Sequence, residues 1–162
     1  MIISGFDNPA ALYNIMFVCS GNTCRSPIAE AFARDWVRRN LSGYYQNFHF
    51  SSAGISAWNG CPASPEAIEA ARRFNLNLSS HRSRRFTDEV ARGAIVLTMT
   101  RAQSLEARRI APAQRCMTLA DWTGRGACDI SDPFMASLSD YIKCFTQIKD
   151  FVESGLKRHV RA

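Results

Sequence analysis

VCSGNTCRSP, Val18 to Pro27, begins at the end of the apolar run Asn14-Ile15-Met16-Phe17-Val18 and finishes on a Ser-Pro pair. That run is apolar and partly β-branched or aromatic, which predicts a short buried strand. Ser26 is a good N-cap and Pro27 fits the first helical position. Ile28, Phe32 and Trp36 then recur at four-residue spacing. A helix is therefore predicted to about Asn40, where Leu41-Ser42-Gly43 breaks it. The stretch reads as a strand-to-helix junction, and the fold turns on whether the rest of the chain repeats that alternation.

It does. Phe48 to Ala53 reads as a second strand ended by Gly54, and Ser64-Pro65-Glu66 repeats the cap-then-proline pattern. The helix it opens is expected through about Phe74, with Ala67, Ala71 and Phe74 on one face. Thr87-Asp88-Glu89 opens a short helix, and Ala94 to Met99 is a third apolar strand. Arg101 to Ile110 reads as a helix, Arg115 to Leu119 as a short strand, and the segment through Phe134 as a loop. The last helix is expected over about Ser139 to Lys157, with an inward stripe of Tyr141, Phe145, Ile148, Val152 and Leu156. Continuous apolar strands alternating with amphipathic helices predict an α/β fold, a four-stranded parallel sheet with helices on both faces, hence three layers. Such sheets bind ligands at the carboxyl ends of their strands, where the quoted stretch lies.

The 162 residues are expected to form one domain over 14–162, preceded by an extension over 1–13. Composition is that of a globular protein, 46% hydrophobic and 21% charged. No apolar run approaches the length needed to cross a bilayer, so no membrane partner is expected. The first fourteen residues carry no Lys or Arg and no sustained apolar stretch, unlike a secretory leader. The expectation is a cytoplasmic protein whose six cysteines are mostly free thiols, with Cys61, Cys116, Cys128 and Cys144 as ordinary packing residues. The net charge of +6 is concentrated at Arg38-Arg39, Arg72-Arg73, Arg82 to Arg85 and Arg108-Arg109. No zinc-finger or RNP-type motif accompanies these clusters, so they read as solvated helix faces rather than a nucleic-acid surface.

The chemistry of the quoted stretch follows by elimination. Cys19 and Cys24 lack a second ligand pair, which argues against a zinc site. Four residues separate them, against two in a thioredoxin-like pair. No Lys is present for a nucleotide P-loop. What remains is Cys19-x5-Arg25 in a loop opening a helix, where backbone N–H groups and the helix dipole make an anion cradle. Arg25 adds a bidentate fork for two phosphate oxygens. The same positive field stabilises a thiolate, and Ser26 can hydrogen-bond to it, which makes Cys19 a nucleophile toward phosphorus. Such a reaction also needs an acid for the leaving group. Asp132, in a polar loop stiffened by Pro133, is the first candidate and Asp129 the rival.

Val-Cys-x-Gly-Asn-x-Cys-Arg-Ser-Pro resembles the signature of low-molecular-weight protein tyrosine phosphatases, and the resemblance runs from about Asn14 to Lys157. Ser51-Ser52-Ala53-Gly54, Leu78-Ser79-Ser80-His81-Arg82 and Asp132-Pro133-Phe134 resemble the family's later segments, in order. The resemblance implies a flavodoxin-like, phosphotyrosine phosphatase I fold and no cofactor or metal. Cys19 would form a phosphocysteine intermediate, with Arg25 and the loop Ser20, Gly21, Asn22, Thr23, Cys24 and Ser26 holding the phosphoryl oxygens. Asp132 would act as acid and then as base for water. Asn22, Ser26, Ser52 and His81 would form a network supporting the loop. Cys24 would be the redox partner of Cys19, closing a reversible disulfide. Trp58 and Phe134 are candidate walls of the substrate cleft. The partners implied are a phosphorylated protein substrate and, in the loop, phosphate or sulfate.

Substrate choice stays open between two branches. Phosphotyrosine is the main expectation. Thr23 and the Asp-Pro-Phe loop resemble bacterial protein arginine phosphatases, which makes phosphoarginine the alternative. Thioredoxin-linked arsenate reductases share the loop, but Thr98 to Ser104 has none of the further cysteines they need. A non-catalytic phosphate-binding module would lack the nucleophile or the acid, and both are present.

Overall fold

Residues 12–160 are described in a computed structural model. Four strands, β1 (Tyr13–Cys19), β2 (Phe48–Gly54), β3 (Ile95–Thr98) and β4 (Arg115–Thr118), pair in parallel in the order β2-β1-β3-β4. Among the described residues six α-helices surround them, with a 3-10 helix over Ser42–Asn47 before β2: α1 (Arg25–Asn40), α2 (Pro65–Arg72), α3 (Asp88–Ala91), α4 (Arg101–Ile110), α5 (Leu119–Thr123) and α6 (Leu138–His159). Of the expected extension over 1–13, residues 1–11 lie outside the described residues, and Tyr13 already belongs to β1.

Strand alternation sorts the core into two layers. Ile15, Phe17 and Cys19 face one side, where α1, α2, α5 and α6 bury Phe32, Trp36, Ala67, Trp122, Tyr141 and Phe145. Met16 and Val18 face the other, against Val90 and Ala91 of α3 and Ala107 of α4. Each fully buried Phe or Ile in these layers contributes about 1.5–3 kcal/mol. The predicted stripe of α6 is buried as expected: Tyr141, Phe145, Ile148, Val152 and Leu156.

Two elements differ from the sequence reading. Residues Leu119–Thr123, expected within a strand end and loop, form α5, capped by the Thr118 hydroxyl, which accepts from Asp121 N–H. Five residues are too few for helical periodicity to show. Helix α1 starts at Arg25 with Cys24 at the N-cap and no side-chain cap, so Ser26 is not the cap expected of it. Its hydroxyl has a competing partner, described below. Pro27 still lies in the first turn, where a missing N–H leaves no hydrogen bond unmade.

The chain adds β2 to one side of β1 and then β3 to the other. The loop after β1 therefore opens at the switch point of the sheet, where a crevice forms outside the strand ends. In register, Cys19 lies beside Gly54 at the carboxyl edge.

Candidate active site

The loop from Ser20 to Cys24 is shaped by where its carbonyls go. Ile55 N–H donates to Cys19 O at 2.9 Å, and Ser56 N–H to Ser20 O at 2.9 Å. Asn22 O accepts from His81 Nε2 at 2.7 Å, and Thr23 O from Ser64 N–H at 3.0 Å. Ile28 N–H, within α1, reaches Cys24 O at 3.3 Å. In a trans peptide the N–H points opposite to the carbonyl before it. Outward-tied carbonyls thus turn the N–H groups of Ser20, Gly21, Thr23, Cys24 and Arg25 toward the concave side of the loop. The amino end of α1 adds its partial positive charge to the same place. The result is an anion cradle built almost wholly from backbone.

Cys19 lies at its floor, buried. Asn22 N–H donates to Sγ at 3.3 Å, and Ser26 Oγ lies 3.0 Å from Sγ. Ser26 Oγ also accepts from Asn22 Nδ2 at 2.9 Å and lies 3.3 Å from Ala53 O. Its single proton therefore has two candidate acceptors, Cys19 Sγ and Ala53 O. This sulfur contact is the partner that draws Ser26 away from capping. Asn22 is held in the left-handed region, at φ 55°, and its Oδ1 accepts from Arg84 N–H at 2.8 Å. Since a carbonyl only accepts, His81 Nε2 carries the proton in its bond to Asn22 O.

Arg25 is buried, and its fork is already engaged. Nη1 donates to Ile130 O at 2.8 Å and Nη2 to Asp132 Oδ2 at 2.6 Å. Asp132 is half exposed, and its Oδ1 accepts from Phe134 N–H at 3.1 Å. The rival carboxylate is committed elsewhere: Asp129 Oδ1 accepts from Arg101 N–H at 2.8 Å, at the start of α4.

Cys19, the loop that follows it and the Arg25–Asp132 pair thus meet at one strand end. The sequence profile of the family described as low molecular weight phosphotyrosine protein phosphatase matches residues 14–161. The chain belongs to this family. Among relatives, it is similar to the low molecular weight protein-tyrosine-phosphatase Wzb of Escherichia coli K12, 32% identical over 84% of this chain and 88% of that protein. Among solved structures, it is similar to the YwlE arginine phosphatase in a mutant with a phosphorylated active-site serine, at 30% identity and a TM-score of 0.80. That match covers 87% of this chain and 91% of the other. Vibrio vulnificus Wzb in complex with benzylphosphonate is likewise similar, 27% identical with a TM-score of 0.76, over 88% and 96% of the two chains.

Within this low-molecular-weight phosphatase the remaining residues from the sequence reading fall into three groups. Asn22, Ser26 and His81 make direct hydrogen bonds around the loop, whereas Ser52 enters through its carbonyl, which accepts from Arg84 Nη2 at 3.4 Å. Trp58 and Phe134, expected as cleft walls, are 80% and 69% exposed on the loops after β2 and after Asp132. Cys24 is a free, buried thiol, and burial pushes it far up from its ordinary range, with the nearby Cys144, Cys19 and Asp132 adding to the effect.

Sequence reasoning missed Gln103 and Arg84. Gln103 Oε1 accepts from Met99 and Thr100 N–H, both at 3.1 Å, which leaves Nε2 to donate to Ser20 Oγ at 3.0 Å. The spacing Thr100-x-x-Gln103 is a capping-box pattern legible in sequence. Its link to Ser20, 83 positions away, is not. Gly54 is needed for a different reason. A Cβ there would lie 2.7 Å from Ser20 O and 2.8 Å from Asn22 N, both backbone atoms of the cradle.

Proposed function

We propose that the chain is a cysteine-dependent protein phosphatase that hydrolyses phosphotyrosine in proteins through a phosphocysteine. The observation that carries this reading is the inward-turned amide cradle around Cys19 Sγ, with Arg25 and Asp132 facing it. The phosphoryl oxygens would take the cradle N–H groups and the Arg25 fork, replacing Asp132 on the guanidinium and releasing that carboxyl to face the leaving group. Sulfur then bonds to phosphorus as the P–O bond breaks, and the Asp132 proton goes to the departing phenoxide. Asp132, now a carboxylate, takes a proton from water as that water attacks phosphorus and expels the Cys19 thiolate. Ser26 would stabilise that leaving thiolate, and Asn22, His81 and the Ser52 carbonyl would hold the loop in shape.

Cys24 fits a protective role: after oxidation of Cys19 to a sulfenic acid by a peroxide, its thiol would condense with Cys19 and release water. The free thiols among the six cysteines fit a cytoplasmic setting. No nucleic acid or membrane enters this reading, and no helix among the described residues is long and apolar enough to cross a membrane.

Phosphoarginine is the second reading. Thr23 places a small polar side chain at the cradle, which suits a guanidinium better than an aromatic ring, and YwlE, a structural neighbour, is an arginine phosphatase. Measuring kcat/KM on matched phosphotyrosine and phosphoarginine peptides decides between them. Inactivity on both, with the Cys19 thiol intact by alkylation, would sink the phosphatase reading.

A further inference from the structure

Four arginine clusters punctuate the chain, and three of them are occupied locally. Arg39 pairs with Asp35 at 2.8 Å and with Glu153, while Arg38 stacks over the Tyr45 ring. Arg72 and Arg73 both pair with Glu69. Arg109 pairs with Glu106, and Arg108 donates twice to Cys116 O. The fourth cluster differs. Arg82, Arg84 and Arg85 are exposed, and none of them pairs with a carboxylate among the described residues. Arg82 Nη1 reaches only the carbonyls of Ser79 and His81, and Arg84 Nη2 the Ser52 carbonyl. Arg85 bonds through its backbone, to Asn59 Oδ1 at 2.8 Å.

This unpaired cluster is registered to the nucleophile. Gly54 pairs with Cys19 on one side and bridges Arg85 in parallel on the other. Cys19, Gly54 and Arg85 thus form one row across the carboxyl edge of the sheet. With strands about 4.8 Å apart, Arg85 lies on the order of 10 Å from Cys19 along that row. Arg84 is pinned at both ends, its N–H to Asn22 Oδ1 and its carbonyl to Gly54 N–H. The loop bearing exposed Trp58 is stitched to the same segment, since Ser83 O accepts from Gly60 N–H at 2.8 Å and Ser83 Oγ donates to Trp58 O.

We propose that Arg82, Arg84 and Arg85, with Trp58, form a docking rim for an acidic segment of the phosphorylated protein substrate. The proposal rests on the phosphatase reading and adds to it a preference in sequence. An extended chain advances about 3.3 Å per residue, so 10 Å corresponds to about three residues. The rim therefore selects Asp or Glu within about three positions of the phosphorylated residue. A nucleic acid would need a wider basic stripe, and the other three clusters are engaged by local partners.

The test compares phosphopeptides of one sequence carrying either acidic or neutral residues within three positions of the phosphorylated side chain. Wild type is expected to favour the acidic peptide through KM, by about two- to fivefold for each pair formed, and to lose that preference in high salt. The double variants Arg82→Gln/Arg85→Gln and Arg82→Glu/Arg85→Glu should abolish and invert the preference, respectively. Both should hydrolyse a small aryl phosphate at the wild-type rate. Titrating the same peptides into the Cys19→Ala variant reads the preference as a ratio of Kd values without turnover. A missing phosphatase activity therefore counts against the function, while equal Kd values for the two peptides count against the rim. Retention of the preference in the double variants would overturn the proposal. So would tighter binding of a single-stranded oligonucleotide than of the acidic peptide, lost in the same variants.

Discussion

Arg25 Nη2 donates to Asp132 Oδ2 across 2.6 Å, so the two groups expected to handle phosphate and proton hold each other. The guanidinium is buried and the carboxylate half exposed, so Asp132 is the partner with room to move.

The first prediction follows from that pairing. Asp132→Asn removes the competing charge from Arg25 and the proton donor from the reaction. Inhibition by inorganic phosphate should tighten several-fold, while kcat on a phosphopeptide should fall by about 10²–10⁴. Acid quench of the variant should trap a phosphoenzyme that Cys19→Ala, with no nucleophile, does not yield. Full activity in Asp132→Asn would assign the acid elsewhere.

A second prediction concerns the loop's support. Asn22 bonds Ser26 and Arg84 through its amide and holds φ at 55°. Asn22→Ala loses both bonds and keeps a Cβ in a strained region, whereas Asn22→Gly loses the bonds without that strain. Both variants should lose kcat. The alanine variant should be the less stable of the two by about 1 kcal/mol in urea unfolding. Equal stability would show that the side-chain bonds alone shape the turn.

The third prediction tests the close approach of β2 to the cradle. Gly54→Ala would press a methyl against Ser20 O, Asn22 N and the Ala57 side chain, at 2.7–2.8 Å. Two of these are loop backbone that other bonds already fix, so the loop must shift. Overpacking of this kind costs about 1–3 kcal/mol. Phosphate affinity should fall along with stability, and wild-type phosphate affinity in a destabilised variant would separate the two effects.

These residues also mark where the sequence could be read and where it could not. Ser64 and Thr87 cap their helices as the local pattern predicts, accepting from Ala67 and Val90 N–H. Ser26, with the same Ser-Pro pattern, does not cap, because its hydroxyl finds Cys19 Sγ seven positions back. Local spacing sets propensity, and a partner brought near by the fold overrides it. The same limit applies to Arg84 and Gln103, whose ties to the loop span 62 and 83 positions. The order of strands, helices and reactive residues was legible, since periodicity and motif spacing are local properties. The division of the arginine clusters into paired and unpaired was not, because it depends on which carboxylates the fold brings near.

The last prediction concerns alkaline stability. Burial pushes the Cys144 thiol from 9.0 up to about 12, and raises Cys24 still further. Cys144 Sγ donates to Ser131 O, next to Asp132 in sequence, and Cys24 ends the loop that follows β1. In the unfolded chain each thiol ionises near its ordinary value. Between that value and the folded one, the native state binds more protons than the unfolded state. The stabilisation is therefore complete below the unfolded value and is lost as pH rises toward the folded one. Above about pH 9 each thiol should lower unfolding free energy by about 1.4 kcal/mol per pH unit. Urea midpoints measured from pH 8 to about pH 10.5 should fall steeply for wild type and less steeply for Cys144→Ala. The double variant Cys24→Ala/Cys144→Ala should be flatter again. An alkaline slope that both variants retain in full would place the titrating groups elsewhere.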